Sequence, residues 1–141
     1  MALFQVMADV FITSTFRNDW NRQFNLKIAG LLSKNGISCY LPQRDTDQSG
    51  DRKRTFQENV AGIQSSKVLI AIGVQTQTAN WGFEIGPAFC LKKPVIVLTD
   101  VDHPVSLMCE GAASSIIIAT QLDDMESFAG DLLASLHRFD V

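Results

Sequence analysis

The chain has 141 residues, 46% of them hydrophobic, which is enough for one ordinary core and too little for two. A formal charge of -3 and a pI near 5.2 supply no basic field for nucleic acid or anionic lipid, so the expected partner is a small molecule, not nucleic acid or membrane. Three cysteines, Cys39, Cys90 and Cys109, lie in apolar surroundings with no Cys-x-x-Cys and no histidine spacing suited to a metal. An odd number without a signal peptide reads as reduced thiols in a cytoplasmic protein, and no apolar run approaches a membrane span. The expectation is a single domain over residues 1–141 that uses no metal and no cofactor.

Residues 4–13 form a mostly apolar run rich in β-branched and aromatic types, a buried strand candidate. It stops in the polar loop Ser14-Thr15-Phe16-Arg17-Asn18. Asn18 or Asp19 can cap the next helix, whose apolar positions Phe24, Ile28, Leu31 and Leu32 share one face. Asn35-Gly36 is a helix stop. A short strand follows over 37–41, ending in Pro42-Gln43-Arg44-Asp45. Residues 45–54 are the most polar stretch and read as a mobile loop over the site. A helix over about 55–65 is expected to turn Phe56, Val60 and Ile63 inward. The run 68–74 is a third strand, apolar throughout as if covered on both faces. A loop over 75–80 leads into a helix carrying Glu84. A fourth strand (94–98), a polar loop (99–104), a short helix (105–111), a fifth strand (115–120) and a last helix (123–139) complete the order.

Strand and helix alternate at spacings suited to crossover connections, which predicts an α/β fold with a doubly wound, Rossmann- or flavodoxin-like, five-stranded parallel sheet. Ligands bind such sheets at the carboxyl ends of the strands. The loops at those ends, 13–18, 42–45, 75–80 and 99–104, should therefore converge on one crevice. No Gly-x-Gly-x-x-Gly follows the first strand and no P-loop motif is present.

Within 80–88, Asn80-Trp81-Gly82-Phe83-Glu84-Ile85-Gly86-Pro87-Ala88, one carboxylate stands between two glycines at an expected helix start. Such a position favours an anion by roughly 0.3–1 kcal/mol, and Pro87 fits a first turn. On chemistry alone Glu84 reads as a nucleophile or as a solvated residue of that turn.

The ordered set Phe11-Ile12-Thr13-Ser14-Thr15-Phe16-Arg17, Tyr40-Leu41-Pro42-Gln43-Arg44-Asp45, Gly82-Phe83-Glu84-Ile85-Gly86 with Ala88 and Lys93-Pro94, and Ser106-Leu107-Met108 with Gly111 resembles the nucleoside 2-deoxyribosyltransferase family over nearly the whole chain. The resemblance implies attack by Glu84 on the anomeric carbon, departure of the base and a covalent glycosyl-enzyme, resolved by a second base or by water. Two branches differ at the 5′ end of the sugar. Transferases of free nucleosides carry an aspartate six residues before the nucleophile and an asparagine from a neighbouring subunit. The deoxynucleoside 5′-monophosphate N-glycosidases carry hydroxyl residues at both places and a Ser-x-Arg element. Here those positions hold Thr78, Ser106 and Thr15-Phe16-Arg17, which favours the monophosphate, because hydroxyls and Arg17 donate to a phosphate where a carboxylate would repel it.

The resemblance further implies that Thr15, Arg17, Thr78, Asn80, Gly82 and Ser106 hold sugar and phosphate, with Ser106 delivered in trans within a homodimer or higher homo-oligomer. Gln43, Arg44, Asp45 and Met108 either contact the base or line its loop. The aspartate the family carries in the middle helix is Asn59 here. Either Asp45 or Glu58 substitutes for it, or base departure is less assisted. Exchange of bases between free nucleosides, and nucleotide sensing without turnover, are the alternative readings.

Overall fold

The computed structural model describes residues 7–141, so residues 4–6 of the first expected strand lie outside the described residues. Five strands, β1 (Val10–Thr13), β2 (Cys39–Tyr40), β3 (Val68–Ile72), β4 (Val95–Asp100) and β5 (Ser115–Ala119), form one sheet in the order β2-β1-β3-β4-β5. Every pairing is parallel. This is the expected doubly wound α/β fold in its flavodoxin-like order, with the strand order reversing between β1 and β3. A crevice therefore opens beyond the carboxyl ends of those two strands.

Among the described residues, six helices accompany the sheet: α1 (Asp19–Lys34), α2 (Pro42–Asp45), α3 (Arg52–Ser65), α4 (Ala79–Cys90), α5 (Leu107–Ala112) and α6 (Glu126–Arg138). The strands split the core by alternation. Val10, Ile12, Ile70, Ile72, Ile96 and Leu98 meet Phe24, Ile28 and Leu32 of α1 and Phe128, Leu132 and Leu136 of α6. Phe11, Leu69, Ala71, Val95 and Val97 meet Ile63 of α3, Trp81, Ile85 and Ala88 of α4, and Cys109 of α5. Cover on both faces is why the central strands read as unbroken apolar runs. Local signals set the bounds of α1. Asn18 accepts from the Asn21 backbone N–H at its start, and Gly36, at a left-handed φ of +72°, ends it.

The segment after β2 and helix α3 differ from expectation. The Pro42–Asp45 segment after the second strand forms the short helix α2, and the stretch 45–54, read as a mobile loop, is tied down. Gln48 Nε2 donates to Pro42 O at 3.1 Å and Thr46 O at 2.7 Å, and the Asp47 N–H donates to Glu58 at 2.6 Å. Helix α3 begins at Arg52 rather than near 55, because Asp51 caps it by accepting from the Arg54 N–H. Its residue Phe56, expected inward, is 54% exposed. The helix meets the sheet instead through Gly62, where an added Cβ would stand 2.9 Å from Phe11 Cε2 and 3.2 Å from Tyr40 Cδ1. Only glycine allows so close an approach, and Thr55, Phe56, Asn59 and Val60 of the preceding turns border the crevice.

Candidate active site

Helix α4 starts earlier than the sequence suggests. Thr78 is its cap and accepts from the Trp81 N–H, so Glu84 stands in the second turn and Pro87 lies inside the helix. The expected first-turn placement is therefore corrected, and with it the helix-terminus argument, since that effect fades beyond the first turn. A different group attends the carboxylate. The hydroxyl of Thr13, the buried last residue of β1, donates to Glu84 Oε2. The other oxygen, Oε1, makes no hydrogen bond among the described residues. Burial pushes the Glu84 pKa up, and the Thr13 hydroxyl opposes that rise by favouring the ionised form.

Glu84 stands where two lobes of the crevice meet. A polar lobe of about 480 Å³ runs past Thr13, Ser14, Thr15 and Arg17 to Thr76 and Thr78. A second lobe of about 340 Å³ lies between α3 and α4, walled by Gly50, Arg52, Val60, Ile63 and the rings of Phe56 and Phe83, whose centroids are 6.1 Å apart. Thr55, Asn59, Asn80 and Glu84 border both lobes.

The polar lobe is held in shape from behind. Asn21 and Asn25 are buried on α1. Asn21 Nδ2 donates to Val74 O at 3.0 Å, and Asn25 Nδ2 donates to Thr15 O at 3.0 Å and to Gln43 Oε1 at 2.8 Å. The Thr15 N–H donates to the Thr76 hydroxyl. The loops after β1 and β3 are thereby tied to one helix and to each other. The Arg17 guanidinium is left with no hydrogen bond or ion pair among the described residues, at the edge of a lobe lined by hydroxyls.

The family profile for nucleoside 2-deoxyribosyltransferase matches residues 11–126. The chain belongs to that family. Membership makes it an enzyme acting on N-glycosidic bonds. A comparison with curated proteins by sequence finds no match. Among solved structures, the chain resembles a 2-deoxyribosyltransferase from Bacillus psychrosaccharolyticus at 18% identity and TM-score 0.70, covering 90% of this chain and 94% of that one. A conserved protein from Enterococcus faecalis superposes with TM-score 0.73 at 18% identity, covering 94% and 99%. The CMP N-glycosidase of Clostridium botulinum gives TM-score 0.66 at 16% identity, covering 89% and 98%. At these identities the likeness is one of fold.

In this deoxyribosyltransferase-family fold, Glu84, Asn59, Thr15, Arg17, Thr78 and Asn80 all border the crevice. Gly82 sits nearby in α4, with open space where a Cβ would stand. Gln43, Arg44 and Asp45 do not border it. Gln43 braces α1, accepting from Asn25 and donating to Arg22 O at 3.0 Å. Arg44 and Asp45 pair with each other at 2.7 Å. Ser106 and Met108, on the far side of the 99–104 loop, are also outside the lobes of their own chain: the Ser106 N–H donates to Gln77 Oε1 at 3.2 Å, and the Met108 side chain is exposed.

Neither carboxylate offered as a substitute at Asn59 reaches the crevice. Burial opposes ionisation of Asp45, but Arg44 and the Leu41 N–H outweigh it and hold its pKa below the usual range. The Asp47 N–H and then Arg54 hold Glu58 low in the same way. Asn59 itself closes a chain of hydrogen bonds: Tyr40 OH lies 2.7 Å from Thr46 Oγ1, which donates to Asn59 Oδ1 at 2.6 Å. Thr13, Thr55 and Thr76 are site-bordering residues that sequence reasoning did not single out. The one available signal was a hydroxyl residue ending a strand at the expected binding edge. Among the described residues, no group of three or more His, Cys, Asp or Glu side chains gathers to hold a metal, and no helix is long and apolar enough to cross a membrane.

Proposed function

We propose that this enzyme cleaves the N-glycosidic bond of a 2′-deoxynucleoside 5′-monophosphate through a covalent glycosyl intermediate on Glu84. The observation that carries the reading is the position of Glu84, one oxygen held by Thr13 and the other free, at the junction of a hydroxyl-lined lobe and an aromatic one. A sugar lying at that junction has its anomeric carbon beside the free oxygen. A carboxylate nucleophile facing an oxocarbenium-like transition state is the chemistry of retaining glycosidases. Its partial burial raises basicity, and the hydrogen bond from Thr13 favours the anion.

Arg17, Ser14, Thr15 and Thr78 supply donors for the phosphate, and the polar lobe holds no carboxylate beyond Glu84 to repel it. The Clostridium botulinum neighbour is named for a nucleotide N-glycosidase reaction, in keeping with this reading. Leu107 and Met108, 80% and 81% exposed beside Ser106, fit the proposal that α5 completes the site of a second copy in a homodimer or higher homo-oligomer.

The test is base release from deoxynucleoside monophosphates and free deoxynucleosides, wild type against Glu84→Ala, with mass spectrometry of the protein after mixing. Release that depends on Glu84, and a deoxyribosyl-phosphate adduct on it, are the expected results. No release from any compound sinks the proposal. The family's namesake reaction supports a second reading, base exchange between free nucleosides. Exchange indifferent to the phosphate would replace the first reading with the second.

A further inference from the structure

The orientation of the Asn59 amide follows from its neighbours. Tyr40 is buried, and its hydroxyl has one hydrogen-bonding neighbour among the described residues, the Thr46 hydroxyl at 2.7 Å. A phenol has a single hydrogen to give, so Tyr40 donates to Thr46 and Thr46 donates to Asn59 Oδ1 at 2.6 Å. With the amide reversed, Thr46 would accept from both Tyr40 and Asn59, and its own hydrogen would be left buried without an acceptor. The Oδ1 atom is thus engaged, and the Nδ2 hydrogens have no acceptor among the described residues. Asn59 borders both lobes, on α3 across the crevice from α4 and Glu84. The site therefore presents a fixed N–H donor where a family relative would have a carboxyl group.

The second observation concerns acids. The charged side chains bordering the crevice are Arg17, Arg52 and Glu84. Asp45 and Glu58 are turned away into ion pairs with Arg44 and Arg54. With Glu84 committed to the sugar, no described residue of the crevice can protonate a departing base.

We infer that the leaving group is a pyrimidine, recognised by Asn59 Nδ2 through the carbonyl beside its glycosidic nitrogen and expelled as an anion rather than as a protonated base. The inference rests on the N-glycosidase reading and narrows its substrate. A purine has no carbonyl next to its glycosidic nitrogen, and its departure is eased by protonation of the imidazole ring, which needs an acid. A pyrimidine spreads the released electron pair onto that carbonyl oxygen, so a donor placed there binds the transition state better than the ground state. The Glu84 oxygen bonds to the anomeric carbon as the bond to the ring nitrogen breaks and the nitrogen keeps the pair. Water then attacks the anomeric carbon, frees Glu84 as carboxylate and gives its proton to the base anion. One water is consumed for each base and deoxyribose 5-phosphate released.

The experiment measures base release from dUMP, dTMP, dCMP, dAMP and dGMP across pH by wild type, Asn59→Asp and Thr46→Val. Wild type is expected to favour pyrimidines by about 10²-fold, the size of one well-placed donor. Its pH profile should rise with Glu84 and show no falling limb. Asn59→Asp should slow pyrimidines, speed purines and add a falling limb from its new acid. Thr46→Val should lower kcat for pyrimidines with little change in KM, since it frees the amide to turn; Tyr40→Phe repeats that readout if Thr46→Val does not fold. Glu84-dependent release of purines as fast as pyrimidines would overturn the inference and leave the N-glycosidase reading standing. Absence of release from all five overturns both.

Discussion

Thr13→Val tests the environment of Glu84 most directly. The substitution keeps shape and β-branching at a site that is 1% exposed and removes only the hydroxyl that donates to the carboxylate. A hydrogen bond to a charged group contributes about 1.5–3 kcal/mol, and about 1.4 kcal/mol is a tenfold change in proton affinity. Among the described residues, Thr13 is the one group opposing the burial that raises the Glu84 pKa. Its loss should therefore move the acidic limb of the kcat/KM profile upward by about one to two pH units. On that limb the rate falls about 10- to 100-fold. On the alkaline plateau it is kept or slightly raised, because the carboxylate that finally ionises is more basic. The assay is base release from a pyrimidine deoxynucleotide between pH 4 and 9, with thermal melts as a fold control. A limb that does not move, or a loss equal at every pH, would refute the argument that Thr13 acts through the ionisation of Glu84.

Glu84→Gln should abolish turnover yet raise Tm at neutral pH by about 2–6 °C. The folded-state pKa of Glu84 is raised, so the native state holds the proton more tightly than the unfolded chain, and stability falls as pH rises through that window. The gain from glutamine should accordingly vanish at acidic pH, below the free glutamate value, and a gain that persists there would contradict the assignment. Gly62→Ala should cost about 1–2 kcal/mol, the clash with Phe11 and Tyr40 outweighing the better helix propensity of alanine. Gly30→Ala on α1, with nothing within 4 Å of the new Cβ, should be neutral or stabilise by up to about 1 kcal/mol; urea unfolding of both compares them. Arg17→Gln should raise KM for monophosphates about 10- to 100-fold and leave free nucleosides unaffected in the same release assay.

The architecture was legible in the sequence because its signals are local. Apolar runs at 68–74 and 94–98, the Asn18 cap and the Asn35-Gly36 stop are decided by a residue and its near neighbours, and the alternation of elements leaves one sheet topology class. The same locality let the loops at the strand ends, and Glu84 after the third strand, be singled out as a crevice. What the tertiary structure alone decided are contacts between distant segments. The bond from Thr13 to Glu84 spans 71 residues, and the relay from Tyr40 through Thr46 to Asn59 links β2, the 46–51 segment and α3. The stretch 75–80 read as a loop, but Thr78 caps α4 there, so the turn occupied by Glu84 was misjudged. Phe56 follows helical spacing but faces out, because Gly62 rather than an aromatic residue meets the sheet. Sequence thus singled out the carboxylate proposed to act, while the packing of α3 and α4 against β1 decided its burial, its hydrogen bond from Thr13 and what stands across from it.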